Sequence, residues 1–332
     1  MTANRQWRLA RRPLGAVEDE DFALTEEPVP EPADGEALVR VRYLSMDPTI
    51  RGWLERDTYL PRIEQGAVVR SLGVGEVTAS RNPRYPVGAV VSGLTGWQEW
   101  TVADDARRRL QVLPDGTDPV DAVGLFGPTG LAAYFGLLDV GRPEAGDTVL
   151  VSGAAGATGS VAGQIAKLTG CRVVGTAGSD EKCALVVDEY GFDACINYRT
   201  EDLRARVREA CPDGVDVFFD NVGGDVLEVA LNNLALHARV VICGAISQYD
   251  GGGPRGPRNY MQLVVRRARM EGFLVFDHAE RHADAIADLA RWAAEGHIRQ
   301  RVDVIDGIAQ VPAAFRRLFS GENLGKNAVR IG

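Results

Sequence analysis

At 332 residues, 45% hydrophobic and 25% charged, the chain has an ordinary globular composition and is long enough for two domains. A net charge of −9 argues against a general nucleic-acid binder, and no apolar run nears the roughly 20 residues of a membrane span. The N-terminus, Met1 to Arg8, lacks the apolar stretch of a signal peptide, so a cytoplasmic protein is expected.

In chain order, the first hundred residues read as strands and turns. Residues 36–43 alternate as a half-buried strand does, and 71–77 and 88–93 add short strands punctuated by glycine. The Asp47-Pro48 step, with Arg51, reads as a turn fixed by a local ion pair. Helical patterns begin near Asp118 and run through 131–138. From 147 onward strands alternate with helices, at 147–152, 172–177, 193–196, 214–220 and 238–243, which implies a parallel sheet covered on both faces. A further strand is expected at 272–276, then an amphipathic helix over 279–295, with a loop and final strand over 323–331.

The most informative stretch follows the strand 147–152. Gly153, Gly156 and Gly159 fall three apart where the strand turns into the helix Val161-Ala162-Gly163-Gln164-Ile165-Ala166-Lys167. Glycines there let the main chain approach a pyrophosphate, while the helix N-terminus supplies N–H donors and a positive dipole. The next strand ends at Thr176-Ala177-Gly178 without the Asp or Glu that would hold a ribose 2′-hydroxyl. Ser179 and Lys182 can bind a 2′-phosphate in its place, with Tyr198 and Arg199 completing the pocket. NADP is therefore expected over NAD.

All five cysteines (171, 183, 195, 211, 243) lie in the second half, several in apolar strand-like runs where a reduced thiol acts as a small hydrophobe. The first 170 residues hold neither Cys nor His, so the ligands of a catalytic zinc are missing there and no metal is expected. No Tyr-x-x-x-Lys pair occurs for a short-chain dehydrogenase.

These features together resemble the zinc-independent medium-chain dehydrogenase/reductases, in the branch of prostaglandin reductases, plant double-bond reductases and bacterial curcumin reductases. The resemblance runs from Tyr43-Leu44-Ser45-Met46-Asp47-Pro48 through Gly178-Ser179-Asp180-Glu181-Lys182, Asp220-Asn221-Val222-Gly223-Gly224 and Arg269-Met270-Glu271-Gly272-Phe273 to Asn323-Leu324-Gly325-Lys326. It implies an α/β chain with two parts. One is a mostly β, GroES-like barrel catalytic domain over 1–125, completed by the tail 305–332. The other is a Rossmann doubly wound parallel sheet over 126–304 that binds NADPH. The implied cofactor contacts are Gly156, Ala157, Thr158, Gly159, Lys182, Tyr198, Asn221, Cys243, Gly244, Ala245, Ile246, Ser247, Tyr249, Phe273, Leu274, Val275 and Asn323. Many family members carry a tyrosine five residues before the Met-Glu-Gly-Phe stretch; here Val265 stands at that place and the nearest tyrosine is Tyr260.

The implied reaction is that of an alkenal/one reductase, in which hydride goes to the β-carbon of an α,β-unsaturated ketone or aldehyde. Negative charge then gathers on the carbonyl oxygen, which calls for a hydrogen-bond donor, and a proton is needed at the α-carbon. Tyr59, in a loop of the first domain, and Tyr260 are the candidate catalytic donors. A quinone oxidoreductase and a non-catalytic NADPH-binding protein are the alternatives. A homodimer is expected, paired along the sheet edge near 273–276.

Overall fold

The computed structural model describes residues 3–106, 109–249 and 255–332. They form two compact units, one of residues 3–123, 249 and 302–332, the other of 124–248 and 255–301.

The first unit is mostly β. Strands β1 (Ala3–Leu9) and β2 (Phe22–Pro28) pair as an antiparallel two-stranded sheet. Strands β3 (Ala37–Ser45), β4 (Leu72–Ser80), β5 (Val90–Leu94), β6 (Trp100–Ala103) and β7 (Gln111–Val112) build the main sheet, all their pairings antiparallel. The long β3 has β4 along one side and β6 against its first half, with register shifts that bend it, as closing a barrel demands. Between β3 and β4, helix α1 (Thr49–Glu55) occupies what reads in sequence as a turn, and four of its seven residues, Ile50, Arg51, Trp53 and Leu54, are buried. Helix α2 (Pro119–Val123) ends this part of the chain.

The second unit starts with α3 (Pro128–Phe135), separated from α2 because Gly127 caps it and Pro128 sits where a missing N–H costs nothing. Six strands follow: β8 (Thr148–Ser152), β9 (Arg172–Ala177), β10 (Ala194–Asn197), β11 (Val215–Asp220), β12 (Leu234–Ile242) and β13 (Arg269–Gly272). Every pairing is parallel, in the spatial order β10-β9-β8-β11-β12-β13, the doubly wound order of a Rossmann sheet. Helices α4 (Ala157–Leu168), α5 (Asp180–Ala184), α6 (Leu203–Ala210), α7 (Gly224–Asn232), α8 (Gln262–Arg266) and α9 (His282–Ala294) lie between or after the strands. The central strand β8 is buried at all five positions, which is why it reads as an unbroken apolar run.

The strand expected at 272–276 is displaced. β13 covers Arg269–Gly272 and stops there because its neighbour β12 ends at Ile242, the partner of Gly272. Phe273 turns away and packs on the bare backbone of Gly136, where an added Cβ would lie 2.4 Å from Phe273 Cζ, and a 3-10 turn, Val275–Arg281, leads into α9. The edge of the sheet is therefore four residues upstream of the expected one.

The tail returns to the first unit. β14 (Val302–Asp306) runs parallel to β15 (Lys326–Arg330), which pairs antiparallel with the second half of β3, so the tail joins the sheet three residues earlier than 305. Helix α10 (Val311–Ser320) bridges the two strands and buries Phe315 against Trp97, their rings 5.5 Å apart. Among the described residues no helix is long and apolar enough to cross a membrane.

Candidate active site

In the second unit, the carboxyl ends of the parallel strands carry the site, as in open α/β sheets generally. Gly153 leaves β8 at φ +61°, a left-handed conformation open to glycine at little cost, and its carbonyl accepts the Gly156 N–H at 2.9 Å. Gly156 caps α4, and Ala157, Thr158 and Gly159 form the first helical turn, where N–H groups are left without helical partners. A Cβ on Gly159 would stand 2.4 Å from the Gly153 carbonyl oxygen, so the close fit of helix to turn requires glycine there. Such a turn has the shape and the N–H donors that a pyrophosphate requires.

At the tip of β9, Lys182 and Arg199 are neighbours. Ser179 caps α5, its Oγ accepting the Lys182 N–H at 3.2 Å. Burial, then the neighbouring Arg199 guanidinium, push the Lys182 ammonium below its ordinary value, with Glu181 opposing them. Tyr198 reaches over Gly178, whose added Cβ would lie 2.8 Å from Tyr198 Oη and 3.3 Å from Arg199 Nε. Asp180 accepts from Asn197 Nδ2 at 2.7 Å, and Glu201 pairs with Arg206 at 2.7 Å. Two cations held together, one partly desolvated, fit a phosphate dianion. The pocket suits the 2′-phosphate of NADPH, and the glycine cradle suits its pyrophosphate.

The third part of the cradle rests on a residue that the sequence reading passed over. Asp220, fully buried at the end of β11, accepts Ser152 Oγ at 2.7 Å and the N–H groups of Val222 and Gly223 at 2.9 and 3.0 Å. Burial raises its carboxyl above the usual range, opposed by those three donors. Its carbonyl accepts the N–H groups of Cys243 and Gly244. Asn221 is clamped to Ser152 through its N–H, at 2.8 Å to Oγ, and through its amide, at 2.7 Å to the carbonyl. Ile246 and Ser247 bind the carbonyls of Asn221 and Val222, so the stretch from Cys243 through Ala245 to Ser247 is zipped to the loop after β11. Burial and the Asp220 charge push the Cys243 thiol up to about 12, which keeps it neutral. An acid ending the apolar run Val215-Asp216-Val217-Phe218-Phe219 was the available signal for Asp220. Phe273 stands against Gly136, Leu274 precedes the 3-10 turn, and Val275 offers its carbonyl to His282 Nε2 at 2.9 Å.

In the first unit, Tyr59 follows α1. Its hydroxyl lies 2.9 Å from Thr49 Oγ1 and its ring meets Trp53 edge-on at 6.0 Å. Burial raises its phenol above the ordinary value, Thr49 opposes this, and Asp47 and Tyr249 add to it, so Tyr59 stays protonated and able to donate. The residue is still 42% exposed. Tyr249 thus belongs with Tyr59. Asn323 turns its amide to the Gly325 carbonyl at 2.9 Å. Asp47 does not pair with Arg51, as the sequence had implied: Arg51 binds the Gly15 carbonyl and Glu55, while Asp47 takes Lys326 at 2.6 Å. The local pair fails because α1 points the guanidinium away from residue 47. Tyr260 belongs to the second unit. It is 58% exposed in the turn before α8, beside the exposed Met261, Val264 and Val265. Among the described residues, no three His, Cys, Asp or Glu side chains are grouped to hold a metal ion.

Comparison with known proteins places this geometry. Residues 5–111 match a family model described as the N-terminal domain of oxidoreductase, and 157–292 one described as zinc-binding dehydrogenase. The chain is 37% identical over 336 residues to the NADPH-dependent curcumin reductase of Escherichia coli, covering 99% of this chain and 97% of that protein. It is 39% identical over 335 residues to prostaglandin reductase 1 of Rattus norvegicus, covering 99% and 100%. The crystal structure of CurA from Vibrio vulnificus in complex with NADPH matches with a TM-score of 0.93 at 39% identity, over 99% of each chain. By fold and sequence together, the chain belongs to the medium-chain dehydrogenase/reductases, in the branch of the curcumin and prostaglandin reductases.

Proposed function

We propose that this protein is an NADPH-dependent reductase of the carbon–carbon double bond in α,β-unsaturated ketones and aldehydes. The observation that carries the reading is the pairing of Lys182 with Arg199, beside Ser179 and Tyr198, at the strand tip where an NAD site would carry an acid. Relatives of similar length named as NADPH-dependent curcumin reductase and prostaglandin reductase support it.

NADPH, when bound, supplies the hydride. Lys182, Arg199 and Tyr198 hold its 2′-phosphate, and the N–H groups of residues 156–159 hold its pyrophosphate. Asp220 keeps Asn221 and the 243–247 stretch in place, and Phe273, Leu274 and Val275 offer backbone and ring contacts. Tyr59 Oη, kept protonated by burial and oriented by Thr49, donates to the carbonyl oxygen as charge gathers there. An enolate is a weak enough base for a phenol hydrogen bond to hold. Its α-carbon then takes a proton from water. Tyr260 serves assembly in this reading, not chemistry.

Five free thiols suit a reducing, cytoplasmic compartment. The partner proposed is a second copy of the chain. β13 is an edge strand exposed at every residue, and Tyr260, Met261, Val264, Val265, Met270 and Phe276 put exposed apolar surface around it. An open apolar edge needs cover, and two such edges pairing across a two-fold axis supply it.

The test is the position of the label. Deuteride from 4-deuterated NADPH is expected at the β-carbon of a saturated ketone when a simple enone is the substrate. An allylic alcohol carrying deuterium at the carbinol carbon would overturn the reading.

A further inference from the structure

We propose that Cys183 and Cys195 form a dithiol which a low-molecular-weight disulfide oxidises to an intramolecular bond, and that closing this bond loosens NADPH. The coupling rests on the reading of Lys182 and Tyr198 as the phosphate site.

Cys183 lies on α5 and Cys195 on β10, and each thiol is the other's leading electrostatic neighbour. The two elements are packed together and tied by Asn197 Nδ2 to Asp180 Oδ1 at 2.7 Å, so the thiols face each other by construction. Both are partly exposed, whereas Cys171 and Cys211 are buried. Their interaction holds the Cys183 thiol below and the Cys195 thiol above the ordinary value; burial, Glu201 and Asp180 work against the lowering at Cys183. Cys183 is therefore the better nucleophile of the two.

The position gives the pair its consequence. Cys183 follows Lys182 directly, and Cys195 stands two residues before Asn197, whose neighbours are Tyr198 and Arg199. A disulfide needs the sulfurs at about 2.05 Å with a restricted dihedral. That constraint falls on the five-residue α5, which carries Lys182 and is capped by Ser179.

With glutathione disulfide as oxidant the step balances. The Cys183 thiolate attacks one sulfur, the glutathione S–S bond breaks, and one glutathione leaves as its thiolate. Cys195 gives up its proton and attacks the Cys183 sulfur of the mixed disulfide, expelling the second glutathione. Two protein thiols are oxidised and one disulfide is reduced to two thiols.

The experiment treats NADPH-free protein with excess glutathione disulfide, maps peptides without reduction, and titrates NADPH and NADH against oxidised and reduced samples. Expected are a Cys183–Cys195 linked peptide pair, no retained glutathione, and NADPH binding about tenfold weaker with NADH unchanged, all reversed by dithiothreitol. Cys195→Ser is expected to stop at a glutathione adduct on Cys183, and Cys183→Ser to form neither that adduct nor the bond. A Cys183–Cys195 bond without change in nucleotide affinity overturns the proposal, as do adducts or other pairings without that bond. If the reduced protein binds NADPH and NADH equally, the phosphate reading alone falls. The peptide map, with any change in affinity common to both nucleotides, then still decides the switch.

Discussion

Lys326 Nζ lies 2.6 Å from Asp47 Oδ1 and 3.2 Å from the Met46 carbonyl, and both side chains are buried although 279 residues separate them. Ser45 Oγ donates to the other oxygen of Asp47 at 2.5 Å. The pair pins β15 to the end of β3 just before α1, the helix that orients Tyr59 through Thr49. A structural ion pair thus underlies the candidate donor.

Breaking that pair leaves an uncompensated buried charge. Asp47→Asn or Lys326→Ala is expected to cost about 3–5 kcal/mol in the first unit, whereas the double change Asp47→Leu with Lys326→Met is expected to cost far less. Urea unfolding followed by tryptophan fluorescence reads this, since Trp53 and Trp97 lie in that core. Equal losses in single and double variants would refute the assignment.

Lys182→Ala is expected to weaken NADPH by tenfold or more and leave NADH unchanged, a charge-assisted contact being worth about 1.5–3 kcal/mol. The same residue predicts a pH effect. Only the ammonium attracts phosphate, and its value is lowered, so NADPH affinity falls on raising pH earlier than an ordinary lysine would allow. Lys182→Arg, which keeps its charge, removes that alkaline loss. Titrations of both nucleotides across the alkaline range check it.

Asp220 has its carboxyl raised in the folded state by burial. Between the unfolded and folded values the native protein holds the extra proton. That contribution to stability is complete below the unfolded value and is lost as pH rises through the folded one. Asp220→Asn, uncharged throughout, is therefore expected to gain stability relative to the parent as pH rises from about 4, near the unfolded aspartate value. A difference that stays constant from acid to neutral pH would refute this.

Tyr59→Phe is expected to lose on the order of a hundredfold in turnover, about 3 kcal/mol, with NADPH affinity nearly unchanged. Tyr260→Phe should keep full rate. Steady-state kinetics on one enone decide between them, and the reverse outcome would move the oxygen anchor to Tyr260.

Met270→Asp puts a charge in the exposed edge strand and is expected to convert a dimer to a monomer, with each unit still folded. Light scattering at micromolar concentration measures it. A monomeric parent would end the dimer proposal.

What could be read from the chain alone was local. Thr148 to Tyr198 spans one β–α–β–α–β run, so the turn, the helix start and the proposed phosphate cations follow from spacing and strand ends within some 50 residues. Alternation likewise marks β3 and the parallel strands. The tertiary structure decided whatever depends on a distant partner. Asp47 looked paired with Arg51 because a sequence shows only neighbours, and it took Lys326 because β15 brings that ammonium to the end of β3. β13 stops at Gly272 because β12 runs out beside it, a limit no propensity of Phe273 or Val275 encodes. Asp220 reads as a strand-end acid until β8 places Ser152 against it. Local chain geometry sets turns and periodicity; which buried group satisfies which is settled only when the strands have neighbours.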